Sequence, residues 1–420
     1  MQEVEDRECR ALLRGMFDAA IAAAAPAHAV ARNLPDRPSG RCLVVGAGKA
    51  SAAMALALEA ALPDVALQGI VSTRYGHGAP CQRIRIIEAG HPVPDANSIA
   101  AADAMLDLLR GAGPGDLVLA LISGGGSACL ARPIAGVTLA DKQAITSELL
   151  RSGAPIAEMN LVRKALSSIK GGGLARAAGA APVCSLVISD VPGDDPADVA
   201  SGPTIPQAAD RQVALAILDR RGIALPDGVR TALLDQPGGL AIDRPQDEVR
   251  LIASPSQSLA AAASLARARG YGIVDLGDRV EGEAAQVAAR HAELAQRIAA
   301  ERRGPTVVLS GGETTVTLPQ GFAGPGGRNT EYQLALARAL KGYPRIWSIA
   351  GDSDGIDGTS DAAGAIAAPD TLARASGLGL EIDRALKDHA SHEVFAALGD
   401  LVVTGPTRTN VNDIRIQLIR

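Results

Sequence analysis

Five short segments, 46–51, 123–127, 189–195, 310–313 and 351–358, combine glycines with hydroxyl or charged side chains. Several directly follow an apolar run of strand length, and in an open α/β sheet the carboxyl ends of the strands line the ligand crevice. The loops can therefore converge on one site. Glycines let backbone N–H groups approach an anion closely, as a nest or a helix N-terminus does, so the chemistry they suggest is the holding of phosphate. Two of the loops are acidic. Ser189-Asp190-Val191-Pro192-Gly193-Asp194-Asp195 and Gly351-Asp352-Ser353-Asp354-Gly355-Ile356-Asp357-Gly358 each gather three carboxylates, whose mutual repulsion is tolerated where a hard cation or a substrate proton is handled.

Gly46-Ala47-Gly48-Lys49-Ala50-Ser51 fits neither of two familiar loops. A Walker A loop needs glycine at Leu43 and a hydroxyl residue at Ala50. A dinucleotide fingerprint needs an acid about twenty positions onward, where Ser72, Thr73 and Arg74 stand. Lys49 is left either as a cation for a phosphate or anionic substrate, or as a surface lysine. Ser123-Gly124-Gly125-Gly126-Ser127 forms an anion cradle with two hydroxyls, and Cys129 occupies the place where a nucleophile elbow needs glycine. Asn160, Arg163, Lys164, Ser167 and Lys170 recur at helical intervals, as a solvated face or as a basic wall for a carboxylate or phosphate. His77 and His91 belong to no zinc-binding spacing, and no Ser/His/Asp triad is legible.

These segments need a scaffold. Apolar runs at 42–45, 69–72, 84–87, 117–122 and 183–188 read as strands, with helices at 97–110 and 138–151, the latter opened by a Thr138/Asp141 capping box. That alternation implies a mostly parallel sheet covered by helices. A boundary falls where Pro226, Pro237, Gly238, Gly239 and Pro245 break the pattern, giving domains 1–240 and 247–420. The second domain reads as a strand at 249–253, a helix to 269, a strand at 272–276, a helix at 281–302 and a strand at 306–309. His291 falls on the apolar face of the 281–302 helix, as a structural histidine.

Composition narrows the partners. Only 2% of residues are aromatic, so the core is aliphatic and base-stacking platforms are not expected. A net charge of −5 without a basic cluster points to small-molecule substrates and away from nucleic acid. Five scattered cysteines suggest a reducing compartment, and the absence of an apolar leader or membrane-length run completes the expectation of a cytoplasmic protein, monomeric or homodimeric.

In order along the chain, Val45-Gly46-Ala47-Gly48-Lys49-Ala50, Tyr75-Gly76-His77-Gly78, Gly90-His91-Pro92-Val93-Pro94-Asp95, the 123–128 loop and Ser189 to Pro196 resemble the glycerate 2-kinase family. So do Ser310-Gly311-Gly312-Glu313-Thr314-Thr315, Gly327-Arg328-Asn329 with Glu331, Asp354-Gly355-Ile356-Asp357-Gly358 and Gly405-Pro406-Thr407 with Thr409 to Asp413, in the part called the MOFRL domain, about 305–415. The resemblance implies ATP- and Mg2+-dependent phosphorylation of D-glycerate to 2-phosphoglycerate. It also implies a Rossmann-like first domain, a MOFRL-type α/β second domain, and an active site in the cleft between them. The family's catalytic lysine and arginine fall on Lys49 and Arg328. With that frame, Gly46, Gly48, Ser123, Gly124, Gly125, Gly126, Ser127, Gly311, Gly312 and Glu313 are expected at the nucleotide phosphates, and Arg163, Lys164, Lys170 and His91 at the acceptor. Asp190 is expected as a catalytic residue and, with Asp195 and Asp354, at the metal. Arg328 is expected just before a helix over 330–340 with Asn329 as its N-cap. Ala165, Thr359-Ser360 and Arg408 depart from the family pattern, which has histidine, Pro-Thr and glycine there. The rival readings are an NAD(P)H-dependent hydroxypyruvate reductase and a non-catalytic metabolite-binding protein.

Overall fold

The structure is a computed structural model and describes residues 2–191, 193–208, 210–235, 243–301, 304–319 and 324–420. Pro192 and the Pro237-Gly238-Gly239 run lie outside the described residues. Contacts divide the chain into two units, 26–252 and a discontinuous unit of 1–25 with 253–420.

In the 26–252 unit the strands are β1 (Cys42–Ala47), β2 (Leu67–Arg74), β3 (Ile84–Ala89), β4 (Leu117–Ser123), β5 (Val183–Ile188) and β6 (Glu248–Ala253), arranged β3-β2-β1-β4-β5-β6. The ladders from β3 through β5 are parallel, with Val45 opposite both Ile70 and Ala120. Every residue of β1, β4 and β5 is buried, which explains why these strands read as continuous apolar runs rather than as alternation. The strand order reverses between β1 and β4. Such a switch point opens a crevice beyond the carboxyl ends of its two strands, where the 46–51 and 123–127 loops begin. A separate aliphatic cluster joins the helices Leu139–Arg151, Ile156–Ala165, Arg211–Arg220 and Asp227–Asp235. Thr138 and Asp141 form the capping box that the sequence announces. Ala165, where the family pattern has histidine, is wholly buried in that cluster.

The other unit carries β7 (Gly272–Asp275), β8 (Gly282–Glu283), β9 (Thr306–Gly312), β10 (Thr314–Thr315), β11 (Ile346–Asp352), β12 (Gly364–Ala367), β13 (Leu401–Val402) and β14 (Asp413–Ile419). Its main sheet runs β13-β12-β11-β14-β9-β7, while β8 and β10 pair apart. β14 is antiparallel to both neighbours, and the register sets Asp413 opposite Gly312 on β9 and Asp352 on β11. Two of the chemistry-bearing loops, 310–313 and 351–358, are thereby brought to one end of one sheet, beside the 409–413 segment.

The domain expectation of 1–240 and 247–420 differs from this division at the N-terminus. The helix Gln2–Ala23 buries Cys9, Leu13, Met16, Phe17 and Ala20, spaced three and four apart, in the core of the 253–420 part, together with Leu259, Ala263 and Ile416. Apolar spacing marks the helix face but not which sheet it covers.

Candidate active site

In the 26–252 unit, the turn after β1 is closed by its neighbours. Gly48 N donates to Ser72 O at 3.1 Å, Lys49 N to Gly124 O at 2.8 Å, Ala50 N to Ser123 Oγ at 3.0 Å and Ser51 N to Gly48 O at 3.2 Å. Gly48 has φ +139°, and a Cβ there would lie 2.2 Å from Ser123 Oγ. A side chain at Gly46 would likewise strike Leu121 O at 2.3 Å. Gly46, Gly48 and the fully buried Ser123 thus weld β1 to β4, and their conformations answer to packing before any ligand.

The second loop is differently built. Gly125 has φ +76°, and a Cβ on it would come within 3.0 Å of both His91 Nε2 and Lys49 Cγ, so Lys49, His91 and Gly125 stand together. Gly126 and Ser127 begin the short helix Gly126–Cys129, in a first turn whose N–H groups have no intrahelical acceptor. Lys170 is buried against this loop. Its Nζ donates to Ser127 O at 2.9 Å, Ser127 Oγ at 2.8 Å and Ala200 O at 3.4 Å. Ser127 Oγ lies 2.7 Å from Ser201 Oγ. Ala200 and Ser201 adopt φ +54° and +63°, left-handed values that side chains other than glycine hold only under constraint from their surroundings.

Charge is unbalanced here. Lys164 pairs with Asp198 at 3.3 Å and donates to Gln207 Oε1. Among the described residues no carboxylate pairs with Lys170 or Arg163. Burial, then the nearby charges of Lys142 and Arg163, push the Lys170 ammonium well below the ordinary lysine range, and burial also lowers Arg163. An arriving anion relieves both effects, so the arrangement is suited to receive one.

Asp190 follows β5 and is half-buried, whereas Asp195 Oδ1 accepts from Ala197 N at 2.9 Å in a local turn. Among the described residues no group of three or more His, Cys, Asp or Glu side chains is arranged to hold a metal ion. Magnesium commonly takes one or two protein carboxylates and completes its shell with substrate phosphates and water, a demand that Asp190 at a strand end fits.

The second constellation lies in the other unit. Arg328 opens the helix Arg328–Leu340, and its N-cap is Gly327 rather than Asn329. The cap is supplied from afar: Asp357 Oδ1 accepts from Asn329 N at 2.9 Å, and its Oδ2 accepts from Thr330 N at 2.9 Å. A carboxylate at a helix N-terminus gains from exposed N–H groups and the dipole alike. Burial nonetheless raises the Asp357 carboxyl against those hydrogen bonds.

Arg328 Nη1 reaches Glu313 Oε1, Nη2 reaches Asp352 Oδ2 and Nε reaches Asp413, each at 2.9 Å. Burial opposes its charge, but Asp413, Asp352 and Glu313 outweigh that and hold it above the ordinary arginine value. The acidic 351–358 loop therefore serves this arginine and the helix start. Asp354, expected at a metal, is almost wholly buried, with Oδ1 accepting from Ile356 N at 2.9 Å. Gly311 and Gly312, expected at phosphates, pack against the 277–280 segment, where Gly312 has φ +106° and a Cβ would lie 2.5 Å from Val280 N. Arg408, replacing the family's glycine, takes φ +61°.

A cavity of about 440 Å³ opens beside Arg328, lined among others by Thr315, Val316, Gly326, Glu331 and His389. Glu331 is held on both oxygens, by His389 Nδ1 at 3.2 Å and by Ser391 Oγ at 2.6 Å. Sequence reading passed over His389 and Ser391. Glu331 within the Gly327-Arg328-Asn329 motif was the available signal.

Comparison with known proteins agrees with this architecture. The family model "Domain of unknown function (DUF4147)" matches residues 12–234, and the MOFRL family model matches 306–413. A protein of Agrobacterium vitis named "Putative hydroxypyruvate reductase" is 54% identical over 99% of this chain and 95% of its own length. The "Glycerate 2-kinase" of Pyrococcus horikoshii is 39% identical over 90% of this chain and 88% of its own. The crystal structure of a Thermotoga maritima glycerate kinase superposes with a TM-score of 0.90 at 36% identity, over 99% of this chain and all of that one. With these two family models matching 12–234 and 306–413, and with relatives named glycerate kinase at 36% and 39% identity over 99% and 90% of this chain, the chain belongs to the glycerate kinase family that joins a DUF4147 domain to a MOFRL domain.

Proposed function

We propose that the chain phosphorylates D-glycerate at its 2-hydroxyl, with ATP as donor and Mg2+ as the metal. The observation that carries this reading is the unbalanced basic group of Lys170 and Arg163 behind the 124–127 loop, a receptor for a small anion next to Lys49. Phosphoryl transfer asks the protein chiefly to position its reactants and to neutralise charge on the transferring group. Lys49 meets the transferring phosphoryl group, Gly125, Gly126 and Ser127 offer backbone donors, and Arg163, Lys164 and Lys170 hold the acid acceptor with His91 beside them. Arg328, held in orientation by its carboxylates, is the arginine of this chain assigned to catalysis. Magnesium, when bound, neutralises charge on the nucleotide phosphates, and Asp190 is the residue of this chain assigned to it. Asp195 and Asp354 are engaged in local turns and are weaker candidates. The cavity beside Arg328 falls within the usual size of a ligand site and is the nucleotide's proposed place.

The test is incubation of the protein with D-glycerate, ATP and Mg2+, followed by phosphorus NMR. A 2-phosphoglycerate signal is expected, and its absence overturns the proposal.

A reductase of hydroxypyruvate is the second reading, favoured by the β3-β2-β1-β4-β5-β6 order, which is that of dinucleotide-binding folds, and by the name of the Agrobacterium vitis relative. Against it, the amides of 48–51, which would carry a pyrophosphate, are already hydrogen-bonded, and β2 ends in Ser72, Thr73 and Arg74 without an acid for the ribose. NADPH oxidation with hydroxypyruvate, at a rate matching glycerate phosphorylation, would reverse the choice.

A further inference from the structure

The first turn of the helix Leu139–Arg151 carries Lys142, a residue that no motif marks. Only 4% of it is exposed, and its Nζ is buried without a hydrogen-bond partner among the described residues. The neighbouring Asp141 is no partner, because its carboxylate is engaged by Thr138 N at 2.9 Å and by Thr138 Oγ1 at 2.6 Å.

Three separate effects oppose an ammonium at this position. Burial removes its hydration, and nothing replaces the lost hydrogen bonds. The N-terminal turn of a helix presents the positive end of the dipole. Arg163 and Lys170 add like charge. Burial first, and then Arg163, pull the Lys142 ammonium down to about 8, and Lys142 in turn depresses Lys170. A lysine kept only for packing would gain from turning its head to water, as long amphipathic side chains do.

The turn is also anchored to the loops already described. Gln143 Nε2 donates to Pro94 O at 2.6 Å, fastening it to the segment that begins at His91, whose ring lies against Gly125. Arg163, on the helix Ile156–Ala165, is near enough for its charge to act on both Lys142 and Lys170, and the Lys170 ammonium is bonded to Ser127.

We propose that Lys142 is a ligand-binding residue, the innermost cation of a buried oxyanion subsite that it forms with Arg163 and Lys170. The ligand is a small carboxylate or phosphate group, and on the proposed reaction, on which this assignment rests, that group is the carboxylate of the acid acceptor or a phosphate of the nucleotide. A bound anion would supply both the counter-charge and the hydrogen-bond acceptor that Lys142 Nζ lacks among the described residues.

The test compares wild type with Lys142→Met, which keeps an unbranched apolar stem, and with Lys142→Gln, which keeps a donor without charge. Dissociation constants for D-glycerate alone and for ATP alone are read from the ligand dependence of the melting temperature, so no turnover is needed. Without ligand, Lys142→Met is expected to melt no lower than wild type, since it removes an uncompensated buried charge. Its dissociation constant for one of the two ligands is expected to rise at least about tenfold, the worth of one charge-assisted contact. A rise for D-glycerate with ATP unchanged identifies the carboxylate as occupant, and the converse identifies a phosphate. If both constants stay within about twofold of wild type in both variants, by the same affinity arithmetic, the subsite is overturned. A wild type that binds these ligands with the expected Lys142 dependence but yields no phosphoglycerate would sink the reaction and leave the subsite standing. Turnover with unchanged constants would do the reverse.

Discussion

Arg328 Nε lies 2.9 Å from both carboxylate oxygens of Asp413, and Arg415 Nη2 holds Asp413 Oδ2 from the other side at 2.6 Å. Asp413 is fully buried between the two guanidinium groups. The orientation of Arg328 is therefore set by the end of β14, far along the chain from its own helix.

Arg328→Ala is expected to affect rate and stability together. Removing a cation that stabilises a transferring phosphoryl group lowers turnover on the order of a thousandfold. Leaving the buried Asp352 and Asp413 short of a partner costs about 3–5 kcal/mol of folding stability. Arg328→Lys is expected to restore little turnover, because an ammonium cannot serve Glu313, Asp352 and Asp413 at once. Turnover measured well below the melting point separates the two losses. Full activity of Arg328→Ala under those conditions would make the residue purely structural.

Lys49→Ala is expected to lower turnover by at least about a hundredfold while the melting temperature stays near that of wild type. Lys49 is tied into the fold through its backbone, by N to Gly124 O and by O to Thr73 Oγ1, and those contacts survive loss of the side chain. Steady-state kinetics with a parallel melt decides the matter; undiminished turnover would remove Lys49 from the reaction.

Asp190→Asn is expected to shift the magnesium dependence of turnover to higher concentration while the KM for glycerate changes little. A magnesium titration that superposes on wild type would take Asp190 out of the metal's surroundings.

His291 gives a pH dependence with a definite sign. It is buried with Nδ1 2.8 Å from the Tyr332 hydroxyl, and burial first, then Arg415 and Arg290, lowers it from 6.5 to about 4. Between those values the unfolded chain carries the proton and the folded one does not. Stability should thus fall as the pH drops from about 6.5 to about 4, by on the order of 3 kcal/mol from this residue, and be flat above that window. Melting curves of His291→Gln, which lacks the titration, should lose this component of the slope. An unchanged slope would show that His291 is protonated in the folded protein.

The 26–252 sheet was legible because its central strands are buried on both faces, so their apolar runs stand out without interpretation. β14 escaped notice for the opposite reason. Asp413, Arg415 and Gln417 alternate with Ile414, Ile416 and Leu418 as in a strand with one wet face, yet all are buried, with Arg415 stacked 5.4 Å from the Tyr332 ring centre. Several partners of this buried polar face, such as Gly311, Thr314 and Tyr332, are remote in sequence, and local pattern does not contain them. The same limit applies to the site. Glycine loops announced themselves, but that the amides of 48–51 are already engaged depends on the adjacent strand and loop, which the local sequence does not contain. Asn329 looked like an N-cap for the helix after Arg328 because the true cap, Asp357, arrives from another loop.

The helix Gln2–Ala23 has a consequence for how the chain is made. It is made before the 26–252 unit, yet the sheet that covers Leu13, Met16 and Phe17 is not complete until β14, which is made after that unit. At ordinary translation speeds the wait is on the order of ten seconds or more. Throughout it an apolar helix face has no partner, while the intervening unit of 26–252 has all its own strands and can fold ahead of its flanks. Completion of the discontinuous unit therefore waits on synthesis of the unit inserted within it, and the Gln2–Ala23 helix is the segment with the most to gain from a chaperone.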